Sequence, residues 1–234
     1  MYVDLFERKE VNMIKAVIFD MDGVMFDTEV LSATSLIRAA KEQDVEMTYE
    51  EAYLTLGFNK KRSYNFYLEY YKEKAPNLDI KKMQERHTEL MDEVLYTVGP
   101  EKKYYIEELL RYLKDNNLKI GIASSSSTEH IKSNIQKTKL EKYIDKVTSG
   151  SEVINSKPDP EIYLLAASRL EVKPEECIVI EDSKSGLTAG FKAGMNTMMV
   201  IDQFKPDEEV KSMIKIIKNN LEEIKLEIEK IIKK

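Results

Sequence analysis

Two aspartates, Asp20 and Asp22, stand directly after an apolar run and just ahead of Gly23. Ala16, Val17, Ile18 and Phe19 are apolar and partly β-branched, the composition of a strand buried inside a parallel sheet. Asp20 then falls at the carboxyl end of that strand, the edge where open α/β sheets hold their ligands. Carboxylates at i and i+2, with a glycine that lets the backbone curl, bring a nucleophile and a proton donor toward one point. The competing reading is a solvated acidic turn. The strand in front and the glycine behind favour chemistry.

The longer pattern Asp20-x-Asp22-Gly23-x-x-x-Asp27-Thr28 resembles the first motif of the haloacid dehalogenase superfamily of phosphoryl-transfer enzymes. That family carries three further motifs in fixed order, and the chain has a match for each. Residues 118–123 (LKIGIA) form a second apolar run and lead into Ser124, Ser125, Ser126 and Ser127, where the resemblance calls for a phosphate-binding Ser or Thr. Lys157-Pro158, inside SKPDPEIY, matches the family's lysine. Residues 177–180 (CIVI) run into Glu181 and Asp182, the expected acidic pair, with Ser183 and Gly186 behind.

The resemblance implies a role for each position. Asp20 is the expected nucleophile, forming an aspartyl-phosphate that splits one hard displacement into two easier ones. Asp22 is the expected general acid for the leaving alkoxide and then the base for water. Ser124 and Lys157 should hold phosphate oxygens, with Ser125 and Ser126 sharing that role because four serines in a row leave the register open. Mg²⁺ is the implied cofactor, since it prefers oxygen ligands. Asp20, Asp182 and the backbone carbonyl of Asp22 are its implied ligands, with Glu181 bound directly or through water. The substrate is then a small phosphorylated metabolite, and the reaction hydrolysis of a phosphate monoester.

Three alternatives bear on that reading. Phospho-receiver modules combine similar residues but are about half this length and lack an insertion. Dehalogenases resemble the pattern but lack the acid at Asp22. β-Phosphoglucomutases share the core, yet resemble one another in carrying a His twelve residues after the nucleophile and an Arg in a Gly-x-x-Arg loop. Here those positions hold Ser32 and Lys60. A Lys cannot grip a phosphate bidentately as an Arg does, so the departures favour hydrolysis.

Positioning these residues requires a particular framework. Beyond residue 118 apolar runs alternate with helical patterns: residues 128–139, a helix opened by Pro158 and Pro160, a helix over 185–193 closed by Gly194, the run TMMVID, and an amphipathic helix over 220–233. This predicts an α/β fold, a doubly wound Rossmann-like parallel sheet with its strand order reversing near Asp20. About ninety residues separate the first two strands, far more than a βα connection needs. Apolar positions such as Ile37, Ala40, Tyr67, Leu90 and Val94 recur there at helical spacing. We therefore expect an inserted all-helical cap over 34–98, a core formed by 13–33 and 99–234, and an N-terminal extension over 1–12 whose role is unreadable. The tyrosines of 64–71 read mainly as cap core. Lys60 and Arg62, in the Gly57-led turn, are the candidate specificity residues. Thr28 either orients Asp22 or starts the first cap helix.

Bulk properties agree. A chain of 234 residues, 42% hydrophobic, can bury a substantial core. The net charge of −6 gives no basic field for nucleic acid. No apolar stretch reaches membrane-spanning length, so a cytoplasmic monomer is expected. The single cysteine, Cys177, sits in an apolar run and reads as a buried hydrophobe, and it forms no metal cluster with His87 and His130.

Overall fold

The structure, a computed structural model, describes residues 13–55 and 60–233. The run Ala16–Phe19 is strand β1, buried along its whole length. It is followed by α1 (Thr28–Lys41), α2 (Tyr49–Tyr53), α3 (Lys60–Tyr70), α4 (Ile80–Thr97) and α5 (Ile106–Asp115) before the chain returns to the sheet as β2 (Lys119–Ser124). The order then runs α6 (Thr128–Lys137), β3 (Lys146–Ser149), α7 (Glu161–Leu170), β4 (Cys177–Glu181), α8 (Lys184–Lys192), β5 (Asn196–Val200), α9 (Glu208–Met213), β6 (Ile216–Lys218) and α10 (Leu221–Ile232).

Among the described residues the six strands form one sheet in the order β3-β2-β1-β4-β5-β6, with every neighbouring pair parallel. The chain leaves β1 to build one half of the sheet and then crosses to build the other. β1 is therefore the switch point, where a crevice opens at the carboxyl edge. Register fixes what meets there. Phe19 pairs with Ile122 on one side and Ile180 on the other, so Asp20, Ala123 and Glu181 lie at one level.

Alternation along β1 explains the two layers of helices. Val17 and Phe19 face a core shared with Leu109, Leu110 and Leu113 of α5 and Ile224 and Ile228 of α10. Ala16 and Ile18 face the opposite core, with Ile162, Tyr163 and Ala166 of α7 and Ala189 of α8. A strand buried on both sides has no polar alternation to show, which is why its sequence reads as one apolar run. Cys177 is buried in β4 as a small hydrophobe.

Helices α1 to α4 gather around a separate core that includes Leu36, Ala40, Tyr67, Met83 and Leu90. Helix α1 starts at Thr28, ahead of residue 34. The tyrosines pack as the sequence suggests: Tyr67 is buried and its hydroxyl donates to the Ala52 carbonyl at 3.0 Å, while Tyr70 and Tyr71 donate to the Glu51 carboxylate. Strands β3 and β6 were not evident in the sequence, because both are short and carry partly exposed, lysine-bearing segments with no full apolar run.

Candidate active site

Asp20 begins where β1 ends, held in place by its N–H donating to the Ile180 carbonyl at 3.0 Å. Lys157 arrives from the loop before α7, through a cis Lys157–Pro158 bond, and its ammonium lies 2.5 Å from Asp20 Oδ1 and 2.7 Å from Glu181 Oε1. It also donates to the Ala123 carbonyl at 3.2 Å. The four groups thus converge from three adjacent strand tips and one loop, despite 137 residues between Asp20 and Lys157.

Glu181 is fully buried and heavily bonded. Its Oε1 accepts from Lys157 and from the Tyr163 hydroxyl at 2.8 Å, and its Oε2 accepts from the Asp182 and Ser183 N–H groups and the Ser183 hydroxyl. Gly186 makes room for it: a Cβ there would come within 1.6 Å of Glu181 Oε1. Burial pushes the Glu181 carboxyl up, but Lys157 and the other donors outweigh it and hold the group below its ordinary range. Asp182 turns toward the loop that follows β1, where it lies against Gly23; a Cβ on Gly23, which has φ +81°, would sit 2.3 Å from Asp182 Oδ2.

Ligand atoms of Asp20, Glu181 and Asp182 all lie within 4.8 Å of one another. Burial raises Asp20 to about 7, with Glu181 and Asp22 adding to the rise and Lys157 opposing it. Asp182 is raised well above the ordinary range by burial and then by Glu181 and Asp20. Three oxygen donors, with Asp20 and Asp182 crowded so that their ionisation is unfavourable, make a site that a hard divalent cation fits: its charge removes the penalty, and its preferred ligands are the ones present. The carboxylate of Asp22 is outside this trio. Its Oδ2 accepts from the Ser126 hydroxyl at 3.2 Å, which turns it toward the serine loop.

The serine run has a resolved register here. Ser124 ends β2 and is buried, Ser125 is exposed, Ser126 meets Asp22, and Ser127 caps α6 through the His130 N–H. Ser124 Oγ accepts from the Ser126 N–H at 3.1 Å. Ser149 Oγ donates to the Ser126 carbonyl at 2.6 Å, and Gly150 lets β3's end lie against Ser125, where a Cβ would be 2.9 Å from the backbone.

Sequence reasoning missed Tyr163, the contact of Ser126 with Asp22 and the anchoring role of Ser183. Tyr163 sits in an apolar helical stripe and reads as core; only its hydroxyl, needed by Glu181, sets it apart. The candidate specificity turn over 57–59 and the Lys60 side chain lie outside the described residues, and Arg62 is exposed on α3. Thr28 begins α1 and is buried. Ser32 on α1 is hydrogen-bonded to His87 of α4, Oγ to Nε2 3.1 Å. Among the described residues, no helix is long and apolar enough to cross a membrane.

Residues 17–200 match the protein family described as haloacid dehalogenase-like hydrolase. A phosphorylated carbohydrates phosphatase from Thermotoga maritima is 34% identical over 183 residues, covering 78% of this chain and 82% of that protein. A beta-phosphoglucomutase from Bacillus subtilis is 29% identical over 185 residues, covering 78% of this chain and 81% of that one. The crystal structure of beta-phosphoglucomutase from Clostridium difficile matches with a TM-score of 0.69 at 26% identity, over 94% of this chain and 98% of the other.

Proposed function

The chain belongs to the haloacid dehalogenase-like hydrolases, and from that premise we propose that it is a Mg²⁺-dependent phosphatase of a small phosphate monoester, a sugar phosphate or similar metabolite. The observation that carries this reading is the meeting of Asp20, Lys157 and Asp182 at the switch point of the sheet. The helical segment over 34–98, with α1 reaching back to Thr28, serves as the cap that receives the leaving group.

Asp20 attacks phosphorus, and the bond to the ester oxygen breaks as the aspartyl-phosphate forms. Asp22 gives its proton to the departing alkoxide, then takes one from the water that attacks the same phosphorus, which frees Asp20 and inorganic phosphate. Lys157 and Ser124 donate to the phosphoryl oxygens, where charge builds in both steps. Asp20, Asp182 and the Asp22 carbonyl would hold Mg²⁺, whose bound charge offsets the repulsion between a carboxylate and a phosphate. Glu181, already accepting from five donors, would add its charge to the ion's site, directly or through water, and mainly fixes Lys157.

A mutase reading is favoured by the beta-phosphoglucomutase relatives, and one assay separates the two. The protein is supplied with β-glucose 1-phosphate and a trace of the 1,6-bisphosphate, and both free phosphate and glucose 6-phosphate are followed. We expect free phosphate to dominate. Glucose 6-phosphate forming faster would establish the mutase instead.

The crowding of the acids also predicts how stability depends on pH. With its carboxyl raised from 3.8 to about 7, folded metal-free protein keeps a proton on Asp20 that the unfolded chain has lost. Over that window each rise in pH therefore lowers stability. Glu181, held below its ordinary range, acts oppositely, and its contribution is lost only in stronger acid. The metal-free protein should thus melt at falling temperatures as pH climbs from about 4 to about 7, and Mg²⁺ should raise Tm more at about pH 7.5 than at about pH 5. A flat metal-free profile with no response to Mg²⁺ would contradict the cation site.

A further inference from the structure

Two linkers join the helical segment to the sheet domain, one entering α1 and one leaving α4. They pair with each other: the Asp27 N–H donates to the Glu101 carbonyl and the Lys103 N–H donates to the Met25 carbonyl, both at 2.9 Å. Lys103 does more than pair. Its ammonium lies 3.3 Å from Asp27 Oδ1 on the entering linker and 2.7 Å from Asp202 Oδ1, just past the tip of β5. The Asp202 side chain is 9% exposed and that of Lys103 20%, so this contact is largely withdrawn from water. A charge pair in such surroundings holds its geometry more firmly than a surface pair, and losing one member is costly.

The exit of α4 is anchored separately. Lys137 of α6 donates to the Tyr96 and Thr97 carbonyls, and Gly99, with φ +88°, admits the Lys137 stem where a Cβ would come within 2.7 Å. That contact fixes one linker to the core. Lys103 is placed differently, because it belongs to the leaving linker and its ammonium engages the entering linker and the core together. The phosphoryl-facing groups all sit on the sheet side, so the orientation of the helices bears on the rest of the substrate.

We propose that Lys103 is a positioning residue for the phosphatase reaction: it ties both linkers to the β5 tip and so fixes the cap at the distance from which it grips the leaving group. The proposal rests on the phosphatase reading above. It concerns esters whose leaving group the cap must hold, and it leaves the phosphoryl chemistry of Asp20, Asp22 and Lys157 to those residues.

The test compares two esters in the full-length protein, a hexose 6-phosphate and p-nitrophenyl phosphate. The latter releases a stable phenolate that needs no proton and has no hydroxyls for the cap to grip. Lys103→Gln should lower kcat/KM for the hexose phosphate about tenfold or more, mainly through KM, while p-nitrophenyl phosphate stays within about twofold. Lys103→Arg should restore the hexose activity, since a guanidinium can span both carboxylates. Amide hydrogen exchange at Asp27 and Lys103 should quicken in Lys103→Gln and return to normal in Lys103→Arg. Asp27→Asn, which weakens only the longer leg and keeps the Asp202 contact, should shift both readouts the same way by less, and it decides the matter if Lys103→Gln does not fold. Equal losses on both esters, or no change in activity or exchange, would overturn the tie. If the wild-type protein hydrolysed neither ester, the phosphatase reading would fall, and the exchange measurements would still decide the role of Lys103.

Discussion

Asp20→Asn is expected to lower kcat by a factor on the order of 10⁴ or more while leaving the fold intact, the signature of a lost nucleophile. An amide has the shape of the carboxylate but no charge with which to attack phosphorus. The surroundings favour the neutral side chain: burial, Glu181 and Asp22 already make the ionised form of Asp20 unfavourable. Lys157 loses one carboxylate partner but keeps Glu181 at 2.7 Å and the Ala123 carbonyl at 3.2 Å. Melting temperature in the absence of metal should therefore hold or rise, and the stabilisation by Mg²⁺ should shrink because one ligand has lost its charge. Circular dichroism, thermal melts with and without Mg²⁺, and turnover of p-nitrophenyl phosphate check the three parts. Wild-type turnover in this variant would remove Asp20 from the reaction altogether.

How far the sequence shows such a site depends on what each residue must do. Asp20 and Asp182 stand out because each follows a strand buried on both faces, so an acid there interrupts an otherwise apolar run. Lys157 stands out through its proline. The serine run points to a loop suited to phosphate but not to which serine does what. That assignment came from β2 ending at Ser124 and Ser127 capping α6. Tyr163 was hidden because one hydroxyl in an apolar stripe does not alter its periodicity, and its partner Glu181 is eighteen residues away. Lys103 and Asp202 were hidden for a stronger reason: 99 residues separate them, and only the closing of the sheet brings them together. Strands β3 and β6 escaped notice because edge strands need little burial, and so leave little pattern.

Lys157→Met should be the most damaging single change to stability at this site, and it should cost catalysis as well. The Lys157 side chain is 7% exposed and its ammonium faces Glu181, which is wholly buried. Removing it strands a carboxylate in the protein interior, a loss of about 3–5 kcal/mol when one member of a buried pair is taken away. Burial then dominates Glu181, which takes up a proton in the folded protein at a pH where the unfolded chain has released it. The deficit should accordingly be smaller at about pH 5 than at about pH 8. Lys157→Met combined with Glu181→Gln should recover part of the stability and flatten the pH dependence, because the glutamine brings no charge and its one carbonyl oxygen can still accept from the Tyr163 hydroxyl. Activity should not follow. Losing a donor aimed at the phosphoryl oxygens costs roughly 10²–10³-fold in kcat, and the second change cannot replace it. Denaturant unfolding at the two pH values, with turnover measured alongside, separates the effects. A Lys157→Met protein as stable as wild type at both would mean that Glu181 does not depend on this ammonium, and would break the link between its burial and the active site.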